Sequence, residues 1–260
     1  MLSEEKIISA LAERTVELRH VKLYATTDST NLRAKEYAHA HPDSSDGVLF
    51  IAEHQTSGRG RLGKSFYSAD GAGIYMSLII KPADTGALAT RLTALSAVAV
   101  AEAIERASGL TTGIKWVNDV YVGKKKVCGI LAEGVMTQDG KMPYLVLGMG
   151  INVYKIAYPE DISSIATSIE DESGRRIPRE ELIADIIASL LEKTACTDSE
   201  EIYERYLQRD IVTGKDITVI RGTESYAARV IRITEDFSLE VEREGGEREL
   251  LFSGEISTRF

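Results

Sequence analysis

The sequence predicts an α+β protein: a mixed, largely antiparallel sheet backed by helices, followed by a small all-β unit. Three observations carry this. Apolar residues recur at helical spacing through one long stretch, 88–107. Six β-rich runs between residues 47 and 153 are separated by turn residues, several of them closely. After Asp210 the pattern becomes short alternating strands.

From the N-terminus, residues 4–14 read as a helix behind the cap Ser3, and residues 31–40 as a second. Strand runs follow at 47–52 and 74–81. Between 88 and 107, Leu92, Leu95, Val98, Ala99 and Ile104 favour one side and Gly109 offers a stop, which gives a core-facing helix. Runs at 113–117, 121–122, 127–135 and 144–153 come with turns such as Gly123-Lys124-Lys125 and Asp139-Gly140, favouring a largely antiparallel or mixed sheet. Helices return at 179–194, after Pro178, and at 200–209. The last strands, 217–220, 226–233, 238–242 and 248–252, are linked by Gly222, Glu235-Asp236 and Gly245-Gly246. A unit of that size suggests a small β-barrel that needs docking for stability. The chain therefore divides into 1–210 and 211–260.

With 260 residues, 43% apolar and 27% charged, the chain has enough material for one large domain and a small one. The apolar stretches 75–80 and 97–101 fall far short of the roughly 20 residues of a membrane-spanning helix, and Lys6 behind two acids spoils a signal-peptide reading. A soluble cytoplasmic protein is expected. Cys128 and Cys196 form neither a metal spacing nor a disulfide framework. A net charge of -9 argues against wholesale binding of a nucleic-acid backbone, though a nucleotide could bind locally.

Gly58-Arg59-Gly60-Arg61-Leu62-Gly63-Lys64-Ser65 satisfies the letter of both the P-loop and the dinucleotide fingerprint. Each of those needs a helix starting at the last glycines, and here Phe66-Tyr67-Ser68-Ala69-Asp70-Gly71 follows, which reads as loop. Two readings of the loop stay open: a solvated hairpin tip, or an anion grip in which bare amides and forked guanidinium groups approach phosphate or carboxylate oxygens. Lys115 stands in a β-rich run beside the only tryptophan, Trp116. It is either a snorkelling lysine or a cation held where charge builds up during reaction. Cys128, inside an apolar strand, reads as packing, and the four histidines show no paired metal spacing.

Five fragments occur in order: Thr27-Asp28-Ser29-Thr30-Asn31; Glu53-His54-Gln55-Thr56-Ser57-Gly58-Arg59-Gly60-Arg61-Leu62-Gly63; Lys115-Trp116-Val117-Asn118-Asp119; Lys126-Val127-Cys128-Gly129-Ile130-Leu131-Ala132-Glu133; and Gly148-Met149-Gly150-Ile151-Asn152-Val153. The series resembles the biotin protein ligases. The resemblance implies a class II synthetase-like catalytic domain over 1–210 and an SH3-like C-terminal domain over 211–260, whose last strand matches Gly254-Glu255-Ile256-Ser257. It assigns Ser29, Thr30, Asn31 and Gln55 to the ureido ring of biotin. Gly58, Arg59, Gly60 and Arg61 fall to the loop over the adenylate, and Lys115 to the biotin carboxylate and α-phosphate, with Lys115 and Arg61 as catalytic groups. Gly129 and Ile130 fall to the wall beside the biotin tail, and Gly148, Gly150 and Asn152 to the strand near tail and nucleotide. Val117 departs from a usual proline and Phe66 from a usual tryptophan. Only 27 residues precede Asp28, too few for the DNA-binding domain of larger members, so the resemblance points to the ligase-only form.

The implied reaction joins biotin to ATP as biotinyl-5'-AMP and passes biotin to a lysine of a biotin carboxyl carrier protein, with Mg²⁺ borne by the nucleotide and no protein metal site. No nucleic-acid or membrane partner is expected. A homodimer through an exposed strand around 144–153 is suggested by analogy alone. The rival within enzymes is a lipoate or octanoate ligase, against which the polar Ser29, Thr30 and Gln55 count, since a dithiolane ring has nothing to pair with them.

Overall fold

The computed structural model describes residues 1–81, 88–137, 139–195, 199–221, 224–252 and 255–258. Cys196, the turn glycine Gly222 and Gly254 lie outside the described residues. The elements run in the order α1 (Glu4–Glu13), β1 (His20–Thr27), α2 (Thr30–Ala40), β2 (Val48–Gln55), β3 (Gly73–Ile80), α3 (Leu88–Ser108), β4 (Thr112–Lys115), β5 (Asp119–Val122), β6 (Lys125–Val135) and β7 (Tyr144–Asn152). Then come α4 (Ile169–Ser173), α5 (Arg179–Ala195), α6 (Ser199–Leu207), β8 (Asp216–Arg221), β9 (Glu224–Ile233), β10 (Leu239–Arg243), β11 (Arg248–Leu251) and β12 (Glu255–Thr258). Ser3 caps α1 as expected, its Oγ accepting from Lys6 N.

The first seven strands form one sheet in the order β1-β2-β3-β7-β6-β5-β4, with β1 parallel to β2 and every other pair antiparallel. Alternation along the strands divides the core in two. Leu49, Ile51, Met76, Leu147 and Met149 face the large layer of α1, α3 and α5, packing with Val98, Ile104, Ile183 and Ile187. Val48, Phe50, Tyr144 and Val146 face the other way, onto Ala34 and Ala38 of α2. On β7 that second face continues past Val146 with Gly148 and Gly150, so the sheet loses its bulk where α2 begins. Asn31 and the Phe66 ring come down on those two glycines, and the cleft described below opens beside them.

Two elements were not foreseen and two expectations need correction. Strand β1 went unpredicted, and so did the short α4. The run 113–117 does not continue as a strand: β4 stops at Lys115, and Trp116, Val117 and Asn118 turn into β5, with Trp116 and Val117 both buried. Finally, β7 is no exposed strand available to a second copy, because both its edges are taken by β3 and β6.

The last five strands make a separate antiparallel sheet, β11-β10-β9-β8-β12, with Val219, Val230, Leu239, Val241 and Leu251 in its core. No helix among the described residues is long and apolar enough to cross a membrane.

Candidate active site

The pairing of β1 with β2 aligns Thr27 with Gln55 and so brings the start of α2 against the end of β2. Asp28 fixes the approach to the helix. Its Oδ1 accepts from Ser29 N at 2.6 Å and both its oxygens take the fork of Arg33, at 3.1 and 2.7 Å. Gln55 Oε1 then accepts from Thr30 N (2.8 Å) and Thr30 Oγ1 (3.1 Å), while its Nε2 donates to Ser68 Oγ at 2.9 Å. Ser77 Oγ lies 2.7 Å from Thr30 Oγ1 and 2.6 Å from Asn31 Oδ1, and Asn31 Nδ2 donates to Glu133 Oε2 at 2.8 Å. Burial alone would raise the Glu133 carboxyl. The Lys35 ammonium at 2.5 Å and the Asn31 amide outweigh burial and hold it below the usual range. One wall of the cleft is thus a preorganised polar network in which Ser29 Oγ, among the described residues, has no hydrogen-bond partner of its own.

The loop 58–66 closes as a small hairpin: Phe66 N donates to Gly58 O at 2.9 Å and Gly60 N to Lys64 O at 2.7 Å. Gly58 is required here, since a Cβ would sit 2.4 Å from Phe66 O. Lys64 is extended and no helix begins at Gly63, so the P-loop geometry is absent from this segment. Arg61 Nη1 donates to Asn118 Oδ1 at 2.9 Å. Arg59 has no hydrogen-bond partner among the described residues, and its positive field is among the influences lowering Glu133.

Ser29, Thr30, Asn31, Gln55, Arg59, Gly60 and Arg61 share one cleft with Gly129, Ile130, Gly148 and Gly150, a solvent-open space of about 470 Å³. Gly58 supports the loop from behind. Two expected residues are not there. Lys115 does not line the cleft; it ends β4, the outermost strand of the sheet, opposite Asp119. Asn152 is engaged elsewhere, its Nδ2 donating to Thr167 O at 3.0 Å. The lysine that does line the cleft is Lys126, whose Nζ sits 2.7 Å from Asp119 Oδ1 and whose stem crosses Gly129. Its signal was present in the sequence, a lysine just ahead of Cys128-Gly129-Ile130, but only the register of β5 with β6 tells it from Lys115. Asn118, Phe66, Met76, Leu131 and Met149 also line the cleft and were not singled out as contacts.

The glycines make room by omission. At Gly148 a Cβ would stand 2.1 Å from Asn31 Oδ1, and at Gly150 2.5 Å from the Phe66 ring. Cys128, fully buried, has its thiol pushed up by burial and acts as packing. Chemically, the cleft combines the fixed polar groups of Ser29, Thr30 and Gln55, the apolar residues Met76, Ile130, Met149 and Phe66, and the cations Arg59, Arg61 and Lys126. It suits an elongated molecule with a polar head and an anionic tail, beside which a phosphate can be held.

The model of the biotin/lipoate A/B protein ligase family matches residues 23–152, half of the chain. The chain is 36% identical over 188 residues to the bifunctional ligase/repressor BirA of Bacillus spizizenii, covering 72% of this chain and 57% of that protein. It is 38% identical over 160 residues to the biotin–[acetyl-CoA-carboxylase] ligase of Mycobacterium tuberculosis, covering 59% and 56%. It therefore spans less than two thirds of the length of either relative. Among solved structures, the biotin protein ligase of Aquifex aeolicus in complex with biotin and ATP superposes with a TM-score of 0.79 at 27% identity, covering 93% of this chain and 99% of that one.

Proposed function

Because the chain belongs to the biotin/lipoate A/B protein ligase family, we propose that it is an ATP-dependent biotin protein ligase, forming biotinyl-5'-AMP and transferring biotin to a lysine of a biotin carboxyl carrier protein. The observation that carries this is the single cleft in which the Ser29–Thr30–Gln55 network and the cations Arg59, Arg61 and Lys126 come together. Ser29 Oγ, which the network leaves without a partner among the described residues, can pair with a ureido ring, whereas a dithiolane would leave it unsatisfied.

In the first step the biotin carboxylate oxygen attacks the α-phosphorus, a C–O–P anhydride forms and the bond to pyrophosphate breaks. ATP arrives as its magnesium complex, the ion held largely by phosphate oxygens. Lys126, in the role the sequence reading gave Lys115, and Arg61 offset charge on the oxygens of the α-phosphate. No side-chain nucleophile is needed, because the carboxylate is already anionic and alignment replaces activation. The 58–63 loop, with Arg59 and Arg61, shields the anhydride from water. In the second step the neutral amine of the acceptor lysine attacks the anhydride carbonyl, an amide forms, and AMP and a proton leave. The demand for ATP fits a cytoplasmic setting.

Within this reading residues 1–210 form the catalytic unit and 211–260 an SH3-like barrel, a division supported by the two separate sheets. Incubation with ATP, Mg²⁺, biotin and a biotin-carrier domain, read by the intact mass of the carrier, tests the function. A carrier gaining one biotinyl group supports it, and an unmodified carrier overturns it.

A further inference from the structure

The seven-stranded and five-stranded sheets meet at Trp116, the single tryptophan of the chain. Its side chain is buried, and its Nε1–H donates to the Phe237 carbonyl at 2.8 Å, across 121 residues of sequence. Phe237 sits in the β9–β10 turn at φ 62, with its amide on Thr234 O at 2.8 Å and its ring edge-on to Tyr206 at 5.3 Å. The carbonyl that receives the indole is therefore held by a fixed turn.

On the other side of Trp116 the chain is equally constrained. Ile114 N donates to Arg209 O at 2.6 Å and Ile211 N to Ile114 O at 3.1 Å, which staples β4 to the entry of the C-terminal unit. Val117 is buried, and Asn118 donates through Nδ2 to Ile130 O at 3.0 Å while its Oδ1 receives Arg61 at 2.9 Å. Thus a rigid line runs from Phe237 through Trp116 and Asn118 to a guanidinium of the cleft. The polar wall of Ser29, Thr30 and Gln55 is held by Asp28, Ser68 and Ser77 instead.

Tyr206 gives a second, independent sign. Its hydroxyl is buried with no hydrogen-bond partner among the described residues, and apart from burial the charges acting on it are those of Asp210, Asp119 and Arg61. An unsatisfied polar atom of α6 is thus carried by the ring that packs on Phe237.

We infer that Trp116 is a positioning residue through which the C-terminal five-stranded sheet sets the nucleotide affinity of the cleft, without reaching its biotin end. The identity of the two ligands rests on the ligase reading above. By linkage the effect runs both ways: nucleotide held by Arg61 steadies Asn118, Trp116 and the Phe237 turn.

Trp116→Phe keeps an aromatic ring and removes the donor. Loss of this bond, with the Phe237 carbonyl left unsatisfied, should raise KM for ATP about tenfold while KM for biotin stays within about twofold. Phe237→Leu, which disturbs the packing on Tyr206, should move the same constant in the same direction. In the unmodified protein, hydrogen exchange at amides 234–238 should slow with a non-hydrolysable ATP analogue and stay unchanged with biotin alone. An unaltered KM for ATP in folded Trp116→Phe, or a matching rise in both constants, overturns the inference. Where the variants do not fold, the exchange measurement decides, and a turn indifferent to nucleotide overturns it. Slowed exchange at the turn in a protein that makes no biotinyl-AMP would sink the ligase reading and still support this coupling.

Discussion

Lys126 Nζ lies 2.7 Å from Asp119 Oδ1, so the cation of the cleft is held in place by a carboxylate on the neighbouring strand before any ligand arrives. Its aim at the cleft does not depend on substrate. Lys126→Ala should slow biotinyl-adenylate formation by about 10²–10³-fold, the usual cost of deleting one preorganised donor to developing charge. Lys115→Ala, away from the cleft, should leave the rate close to that of the unmodified protein. Single-turnover release of pyrophosphate measures both, and the reverse ranking would return the role to Lys115.

Gly148→Ala tests the polar wall. Its Cβ would fall 2.1 Å from Asn31 Oδ1, and the backbone of β7 between β3 and β6 has no freedom to retreat. Asn31 must move, taking its bonds to Ser77 and Glu133 with it. The expected outcome is a rise in KM for biotin of at least about tenfold, in line with buried polar groups left unpaired. KM for ATP is expected to change less. Equal effects on the two substrates would contradict the placement of the ring.

Gly58→Ala tests the loop. The clash with Phe66 O would open the hairpin, with an overpacking cost of about 1–3 kcal/mol borne by the loop. The melting temperature should therefore fall little, while free biotinyl-AMP escapes and hydrolyses faster. Trapping released adenylate in the absence of carrier reads this directly; tight retention of the intermediate would remove the loop from its shielding role.

Glu102 supports the helical layer. It accepts from Lys193 at 2.8 Å and from Arg205 at 2.9 Å, and Lys193 is itself buried. Glu102→Gln leaves that ammonium without its counter-charge and should destabilise the fold by about 3–5 kcal/mol. Chemical denaturation measures it, and a loss well under 1 kcal/mol would mean the ammonium finds water.

Acid should unfold the protein through the same kind of group. Burial would raise the carboxyls of Glu53, Glu102 and Glu133, but Arg179 on the first, Lys193 with Arg205 on the second and Lys35 with Asn31 on the third bring each below the ordinary 4.5. A depressed folded value means stability that is present above the unfolded value and lost as pH falls through the folded one. The melting temperature should hold steady from neutral pH down to about 5 and drop steeply below about 4.5. A drop starting near pH 6 would point to histidine instead.

The sequence revealed the helices and most strands because their periodicity is local. Residues 88–107 bury one face of a long helix, and 144–153 is β-rich throughout. Strand β1, His-Val-Lys-Leu-Tyr-Ala-Thr-Thr, escaped because an edge strand paired on one side stays only half buried and shows no clean alternation. The choice between Lys115 and Lys126 was likewise beyond local pattern. Both stand in β-rich runs, and what separates them is that the chain turns at Trp116, held by a carbonyl 121 residues away. Asn152 follows its two glycines in perfect alternation, yet a loop that supplies Thr167 O covers it.

The glycine face of β7 at 148 and 150, on which Asn31 and the Phe66 ring rest, has a thermodynamic consequence. The cleft beside it opens to solvent, and a molecule that settles there adds packing to the fold as a core residue would. Small-molecule occupancy and conformational stability then become one quantity, rising together with ligand concentration by mass action.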